Sequence, residues 1–330
     1  MEQLVPRLSE LQLKRIEASP VAPWLKIEKL SISTSRVYSM LKRFEVETCS
    51  FCFGSNIKVP FTSRELSIVI GLASVGQPVN LDLKLSSNFL ERHFKGVHCV
   101  QRNVITEKLF ELAGNDLEID DFFRFFILLL FNCVIFPISN FGTPKFIFPY
   151  LDNLETFFGY GWGDAAFRFL RDEIADHLGF SKVKRKDKKY MGGCIVGLMA
   201  WVYERVPMLG EPRVLHCFPR LFKWVESKIP VNPIRAEAAL MAVRSNKIVP
   251  IKPFEDEKKL VDDIERIFES RYNDSELLEH IKRLENEIKV LKEKNEVVED
   301  DTTQFVFKDA THMYDEGHTE QDVDAHVDDS

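Results

Sequence analysis

Residues Phe125 to Phe136 read FFILLLFNCVIF, an apolar run of twelve interrupted by Asn132 and closed by Pro137. A membrane-spanning helix needs about twenty such residues. The run is too short for that role, and a helix apolar on every side must then be wrapped by other elements of a domain. It predicts a buried helix in a globular body, with no membrane partner. Material for the wrapping is plentiful. Of 330 residues, 45% are hydrophobic, and 27 are phenylalanine. That composition excludes a wholly disordered chain and a minimal disulfide-stapled one.

The pattern around this run sets the rest of the organisation. Residues 1–25 contain Pro6, Pro20 and Pro23 and read as a lead-in with one short helix. From Thr48 to Phe61 the sequence TCSFCFGSNIKVPF alternates at period two around Gly54-Ser55-Asn56, which predicts a β-hairpin. Thr62 or Ser63 then precedes Glu65, a helix start with an acid in the first turn, and Gly71 and Gly76-Gln77-Pro78 stop that helix. Helical spacing recurs over Val104–Leu112, Asp120–Phe136, Leu151–Phe158, Asp164–Leu178 and Cys194–Val206. Residues 26–227 are therefore expected to form one mainly helical domain with a small β-hairpin. Four prolines bracket a helix-prone piece (Arg235 to Arg244) in 228–254, read as a linker or as a strap over the domain.

Charge divides what remains. The formal net charge is −7, but Glu296 to Ser330 holds twelve acids against Lys308 alone, leaving 43 basic and 39 acidic residues in 1–295. Residues 300–330 are expected to be an acidic, disordered tail. In the charged segment 255–299, Leu277, Ile281, Leu284, Ile288 and Leu291 follow a strict 4-3-4-3 spacing, which Asn295 and Val298 continue. With Ile at a and Leu at d, the register favours a parallel two-stranded coil, and Asn295 would pin it. Glu287 at g faces Lys292 at e of a partner, and Lys294 faces Glu299. A parallel homodimer through 277–298 is the expectation, against an amphipathic helix docked on its own domain.

Groups able to do chemistry are sparse in pattern. Cys49-x-x-Cys52 has zinc-knuckle spacing, but His93, His98 and Cys99 form no second spaced pair. Six scattered cysteines fit free thiols in a reducing compartment, and the amino terminus has no apolar run behind a basic start, so no secretory leader is expected. Cys194 and His216 carry no signature of a nucleophile and its base. The glycines at 159, 161, 163, 192 and 193 lack the strand–loop–helix context of a phosphate loop. The acid pairs Asp120-Asp121 and Asp172-Glu173 read as solvated positions. Lys182, Lys184, Arg185, Lys186, Lys188 and Lys189 crowd one segment, SKVKRKDKKY. Its readings are a nuclear-import peptide, a phosphate-backbone patch for nucleic acid, or a solvated loop.

Three blocks together resemble the plant mobile domain, a family also labelled aminotransferase-like. The first runs from Phe51-Cys52-Phe53 through Val59 to Glu65 and on to Gly71-Leu72 and Gly76-Gln77-Pro78-Val79. The second is Gly161-Trp162-Gly163-Asp164-Ala165-Ala166. The third is Gly192-Gly193-Cys194 with Leu198, Trp201, Glu204-Arg205 and Pro207, followed by Pro219-Arg220 and Trp224. The blocks span about 44–226, and the Trp201 to Pro207 block is also similar to the amino-terminal domain of plant Mutator-type transposon proteins. The resemblance implies a protein of transposon origin, often nuclear and linked to gene silencing or genome maintenance. It supplies no catalytic residue and no cofactor. A pyridoxal-phosphate enzyme needs a Schiff-base lysine in a large α/β fold, and this chain lacks the strand–helix alternation for one. The chain is expected to be a non-enzymatic nuclear interaction module. A degenerate hydrolase, with Cys194, His216 or Asp164 once active, is the competing reading, as is nucleic-acid binding through 182–189. Trp162, Trp201 and Trp224 are expected to be buried, and Arg205 to pair with a carboxylate.

Overall fold

The computed structural model describes residues 1–27, 32–180 and 191–262, with single helical positions at Arg283, Asn286 and Lys289. The chain divides into a unit over Met1–Asp263 and a second over Ile264–Ser330. The heptad residues 277–298 and the acidic stretch 300–330 lie outside the described residues apart from those three positions, and the basic segment 182–189 lies outside them entirely.

The first unit is mostly helical with two small antiparallel sheets. Helix α1 (Glu10–Glu17) opens on a capping box in which Ser9 and Gln12 bond each other's backbone amides. Gln12 is fully buried, and its side-chain amide donates to the Leu112 carbonyl at 2.8 Å and accepts from the Gly114 amide at 2.9 Å. The expected lead-in is thus packed into the body. Helix α2 (Thr34–Leu41) leads to strands β1 (Phe44–Glu45), β2 (Ser50–Phe53) and β3 (Ile57–Pro60), ordered β1-β2-β3. The hairpin expected around Gly54 is present, with Phe51 opposite Val59 and Phe53 opposite Ile57. Strand β1 was not legible in the pattern.

Helix α3 (Ser63–Ile70) starts where expected, the Thr62 hydroxyl accepting from the Glu65 amide at 3.3 Å. Helices α4 (Asn88–Phe94) and α5 (Arg102–Leu112) precede α6 (Ile119–Leu130), the apolar run. Phe122, Phe123, Phe125, Phe126, Ile127 and Leu128 are all at most 1% exposed, as a helix apolar all round requires. Sequence spacing carries this helix to Phe136, yet residues Phe131–Ile135 are wound as a π-helix. The wider turn accompanies buried Asn132, whose amide donates to the Gly142 carbonyl at 2.6 Å and to the Thr143 hydroxyl at 3.0 Å. The helix expected over Leu151–Phe158 is likewise two pieces, α7 (Phe148–Leu151) and α8 (Leu154–Phe157). Between them Asn153 caps α8, and Asp152 turns away to accept from the Asn88 and Phe89 amides.

Long helix α9 (Trp162–His177) and helix α10 (Ile195–Arg205) complete the core beside α3. Beyond them, β4 (Gly210–Pro212) and β5 (Trp224–Ser227) form a second antiparallel sheet that the sequence reading did not anticipate. Helix α11 (Pro233–Met241) falls on the helix-prone piece of the expected linker. Residues 228–262 form a strap over the body, the second of the two readings of that stretch. Ile229, Ala236, Leu240 and Val243 are buried, and Leu260 and Val261 pack on Ile68 of α3. The division expected at Glu255 is corrected accordingly: 255–260 is a 3-10 turn whose Glu257 is 1% exposed. Among the described residues no helix is long and apolar enough to cross a membrane.

Candidate functional site

The motif residues converge where α3, α9 and α10 meet. At the start of α9, Trp162 turns inward while Gly163 lets the helix touch α3. The Gly163 amide donates to the Ala73 carbonyl at 2.6 Å, and a Cβ there would lie 2.9 Å from that of Ser67 and overlap the Leu72 carbonyl. Gly71 ends α3 in a left-handed turn (φ +71°), with Pro219 so close that a Cβ would meet its ring at 2.7 Å. Asp164 accepts from the Ser63 hydroxyl at 2.9 Å and pairs with Arg168 at 2.7 Å, and Arg168 reaches the Val79 carbonyl at 2.8 Å beside exposed Pro78. These contacts rivet α3, α9 and the 76–79 turn together.

Helix α10 carries two charge networks on neighbouring residues. Trp201 is fully buried, and its indole donates to Glu65 at 2.6 Å. Arg205 pairs with the same carboxylate at 3.4 Å and donates to the Val249 carbonyl of the strap at 3.1 Å. Glu204 accepts three donors: Lys223 at 2.8 Å, the Trp224 indole at 3.0 Å and Arg220 at 3.2 Å. Arg220 is held by two strands of contacts at once. It forks onto Glu257 at 2.8 and 2.5 Å, donates to the Lys252 carbonyl at 2.5 Å, and lies 4.3 Å from the Phe254 ring centroid. Burial opposes the charge of Arg220, yet the hydrogen bonds and charges of Glu257 and Glu204 hold its pKa above the ordinary value.

Glu65 is the group whose environment has a readable pH consequence. Burial raises its pKa from 4.5, with the Trp201 hydrogen bond and the Arg205 charge pulling the other way. A carboxyl with a raised native pKa holds its proton better folded than unfolded. The folded state therefore loses ground as pH climbs through the window between the two values. In urea titrations, the stability of the wild type relative to Glu65→Gln is expected to fall as pH rises from 4.5 into the weakly acidic range. A difference independent of pH would contradict this environment.

The remaining candidates sit apart, each with its own neighbours. Cys194 is fully buried at the start of α10, and burial pushes its thiol up to about 12. His216 lies on the loop between β4 and β5, its ring 5.3 Å from that of Phe254. The Cys52 thiol donates to Glu45 at 3.2 Å, and Cys49 precedes β2 in a left-handed turn (φ 48°). His93 contacts Asp121 at 2.7 Å. Among the described residues no three His, Cys, Asp or Glu side chains gather to hold a metal ion. The Gly193 amide bonds the Pro137 carbonyl at 2.8 Å, and Pro207 opens the 3-10 turn after α10.

Both acid pairs read as solvated require correction. Asp120 and Asp172 are exposed, but Asp121 and Glu173 are 7% exposed. Asp121 takes Arg92 at 2.7 Å and Arg124 at 2.9 Å, and Glu173 accepts the Gly192 amide at 2.9 Å. Adjacent helix positions point about 100° apart, so one acid of a pair can turn inward while the other faces water.

A cleft of about 150 Å³ opens between α2, α10 and β5. Its floor includes Met199, Leu221 and Trp224, and Lys26, Arg36 and Arg213 line it as well. Sequence reasoning did not find this site, because its cations come from three distant and individually unremarkable segments. No curated protein and no solved structure matches the chain. Residues 1–199 match a family described as a domain of unknown function, DUF8566, so that the match ends inside α10 and the second sheet and the strap lie beyond it. As the matched residues make up more than half of the sequence, the chain belongs to the DUF8566 family.

Proposed function

We propose that this protein is a non-enzymatic interaction module: a helical body of the plant mobile type, presented in pairs on a parallel coiled coil over 277–298. Its place of work is the nucleus, reached through the basic segment 182–189, in gene silencing or genome maintenance. The acidic extension over 300–330 is disordered and adds a polyanionic surface for partners.

The observation that carries the reading is the saturation of Glu204. The most chemically able residue of the motif accepts from Arg220, Lys223 and Trp224 together. A carboxylate so engaged is an anchor for its neighbours and a poor proton acceptor for a substrate. Arg205, Trp201 and Glu65 are committed to one another in the same way.

The test is oligomeric state. The wild type is expected to be a dimer by light scattering, and Ile281→Lys with Ile288→Lys to be monomeric with an unchanged circular dichroism signal from the body. A lysine at two a positions places like charges in the seam, which a short coil does not tolerate. A wild type that is monomeric at high micromolar concentration overturns the reading.

A further inference from the structure

We infer that the last turn of the strap, residues 254–261, sits in a peptide-recognition socket on the body, and that a partner peptide with the same side-chain pattern can take its place. The pattern is an aromatic residue, a glutamate three positions on, and an aliphatic pair after it: Phe254, Glu257, Leu260 and Val261. Each meets a matching group. The Arg220 guanidinium lies 4.3 Å from the centroid of the Phe254 ring and forks onto Glu257 at 2.8 and 2.5 Å. Leu260 and Val261 pack with Ile68, Ala73 and Phe218. The Ser74 amide and hydroxyl both donate to the Leu260 carbonyl, at 2.7 and 3.1 Å. Ring, charge and aliphatic pair are thus each read by a different part of the socket.

The turn is held as a ligand is held, and not as a layer of the core. It is closed on itself: the Glu257 and Lys258 amides donate to the Phe254 carbonyl at 3.1 and 3.2 Å, and the Glu257 carboxylate accepts from the Phe254 amide at 2.8 Å. Among the described residues it pairs with no strand of either sheet. Leu260 and Val261 form with Ile68 a small apolar cluster apart from the main core. Lifting the turn therefore exposes few apolar side chains, which is the condition for opening short of global unfolding. Opening also takes Glu257 from Arg220 and leaves Glu204 as the carboxylate that Arg220 shares with Lys223. A guanidinium so placed favours another acid in the vacated position. A partner competes with a tethered segment at roughly millimolar effective concentration, so the socket stays closed to weak partners until the strap is loosened. The inference goes beyond pairing through 277–298 and needs no dimer.

The probe is a fluorescent peptide with the sequence of residues 250–262, titrated by anisotropy against the full chain. A full-chain variant carrying Glu257→Gln and Leu260→Ser has a weakened strap and an intact socket. It is expected to bind the peptide about tenfold or more tightly than the wild type does, because the tethered competitor is handicapped. A peptide that itself carries Glu257→Gln is expected to bind the variant about tenfold more weakly, having lost the charged fork onto Arg220. Hydrogen exchange on the unaltered wild type supplies a second reading that does not depend on the folding of the variant. The Ser74, Val261 and Asp262 amides are expected to exchange about a hundredfold faster than those of α10, through opening of the strap alone. Peptide bound no better by the variant than by the wild type, equal affinity for the two peptides, or strap amides that exchange in step with α10, overturns the proposal.

Discussion

Replacing Arg220 with Met is expected to cost about 3–5 kcal/mol of unfolding free energy. Truncation would leave Glu257, exposed by only 1%, without the cation that neutralises it, and Glu204, 8% exposed, with Lys223 as its remaining cation. The Phe254 ring and the Lys252 carbonyl would lose their contact with it as well. A buried carboxylate stripped of its partner incurs most of the desolvation cost that the pair had offset. Urea denaturation of the single variant measures the effect. The double variant Arg220→Met with Glu257→Met is expected to lose less than the sum of the two single changes, because no orphaned charge from that pair remains. A single-variant loss below about 1 kcal/mol would mean that the network is wet, and that the strap is held by its apolar contacts alone.

Trp162→Ala is expected to cost a similar amount, about 3–5 kcal/mol, for a different physical reason. The indole is 1% exposed and stacks on Phe157 with centroids 4.7 Å apart and planes at 26°. Phe131 meets it edge-on at 4.9 Å and Tyr150 at 5.2 Å. Its N–H donates to the Phe157 carbonyl at 2.6 Å. Alanine would leave a ring-sized cavity among side chains that belong to α7, α8 and the π-helix, and these cannot all collapse inward together. Trp162→Phe separates the two contributions. It keeps most of the packing but orphans a buried carbonyl, so about 1–3 kcal/mol is expected from it. Equal losses for the two variants would place the whole effect in the hydrogen bond.

Local physics explains which elements could be read from the chain. Thr62 with Glu65, and the period-two run around Gly54, act through near neighbours, three residues apart in the cap and four to ten in the hairpin, and the structure places α3 and the β2–β3 hairpin accordingly. The apolar run likewise announces its own burial. What stayed illegible depends on partners far along the chain. Asp121 looks like a solvated acid until Arg92 arrives from α4, and Asn132 looks like an interruption until the loop at 141–143 closes over it. Glu257 lies in a segment whose composition reads as a charged helix, and only Arg220 makes it a core residue. The cleft is the extreme case, because no two of its cations are sequence neighbours. Trp201 and Arg205 were legible as a buried indole and a paired guanidinium, but their shared partner, Glu65, lies 136 residues from Trp201.

The clasp also sets a clock on synthesis. Arg220 and Glu257 are 37 residues apart, and a ribosome adding about 5–20 residues per second makes that stretch in roughly 2–7 s. For that interval the nascent body holds Arg220 with Glu204 alone, and the side of α3 that Leu260 and Val261 cover is bare. Closure of the body thus waits for the strap, and the strap leaves the ribosome just ahead of the heptads.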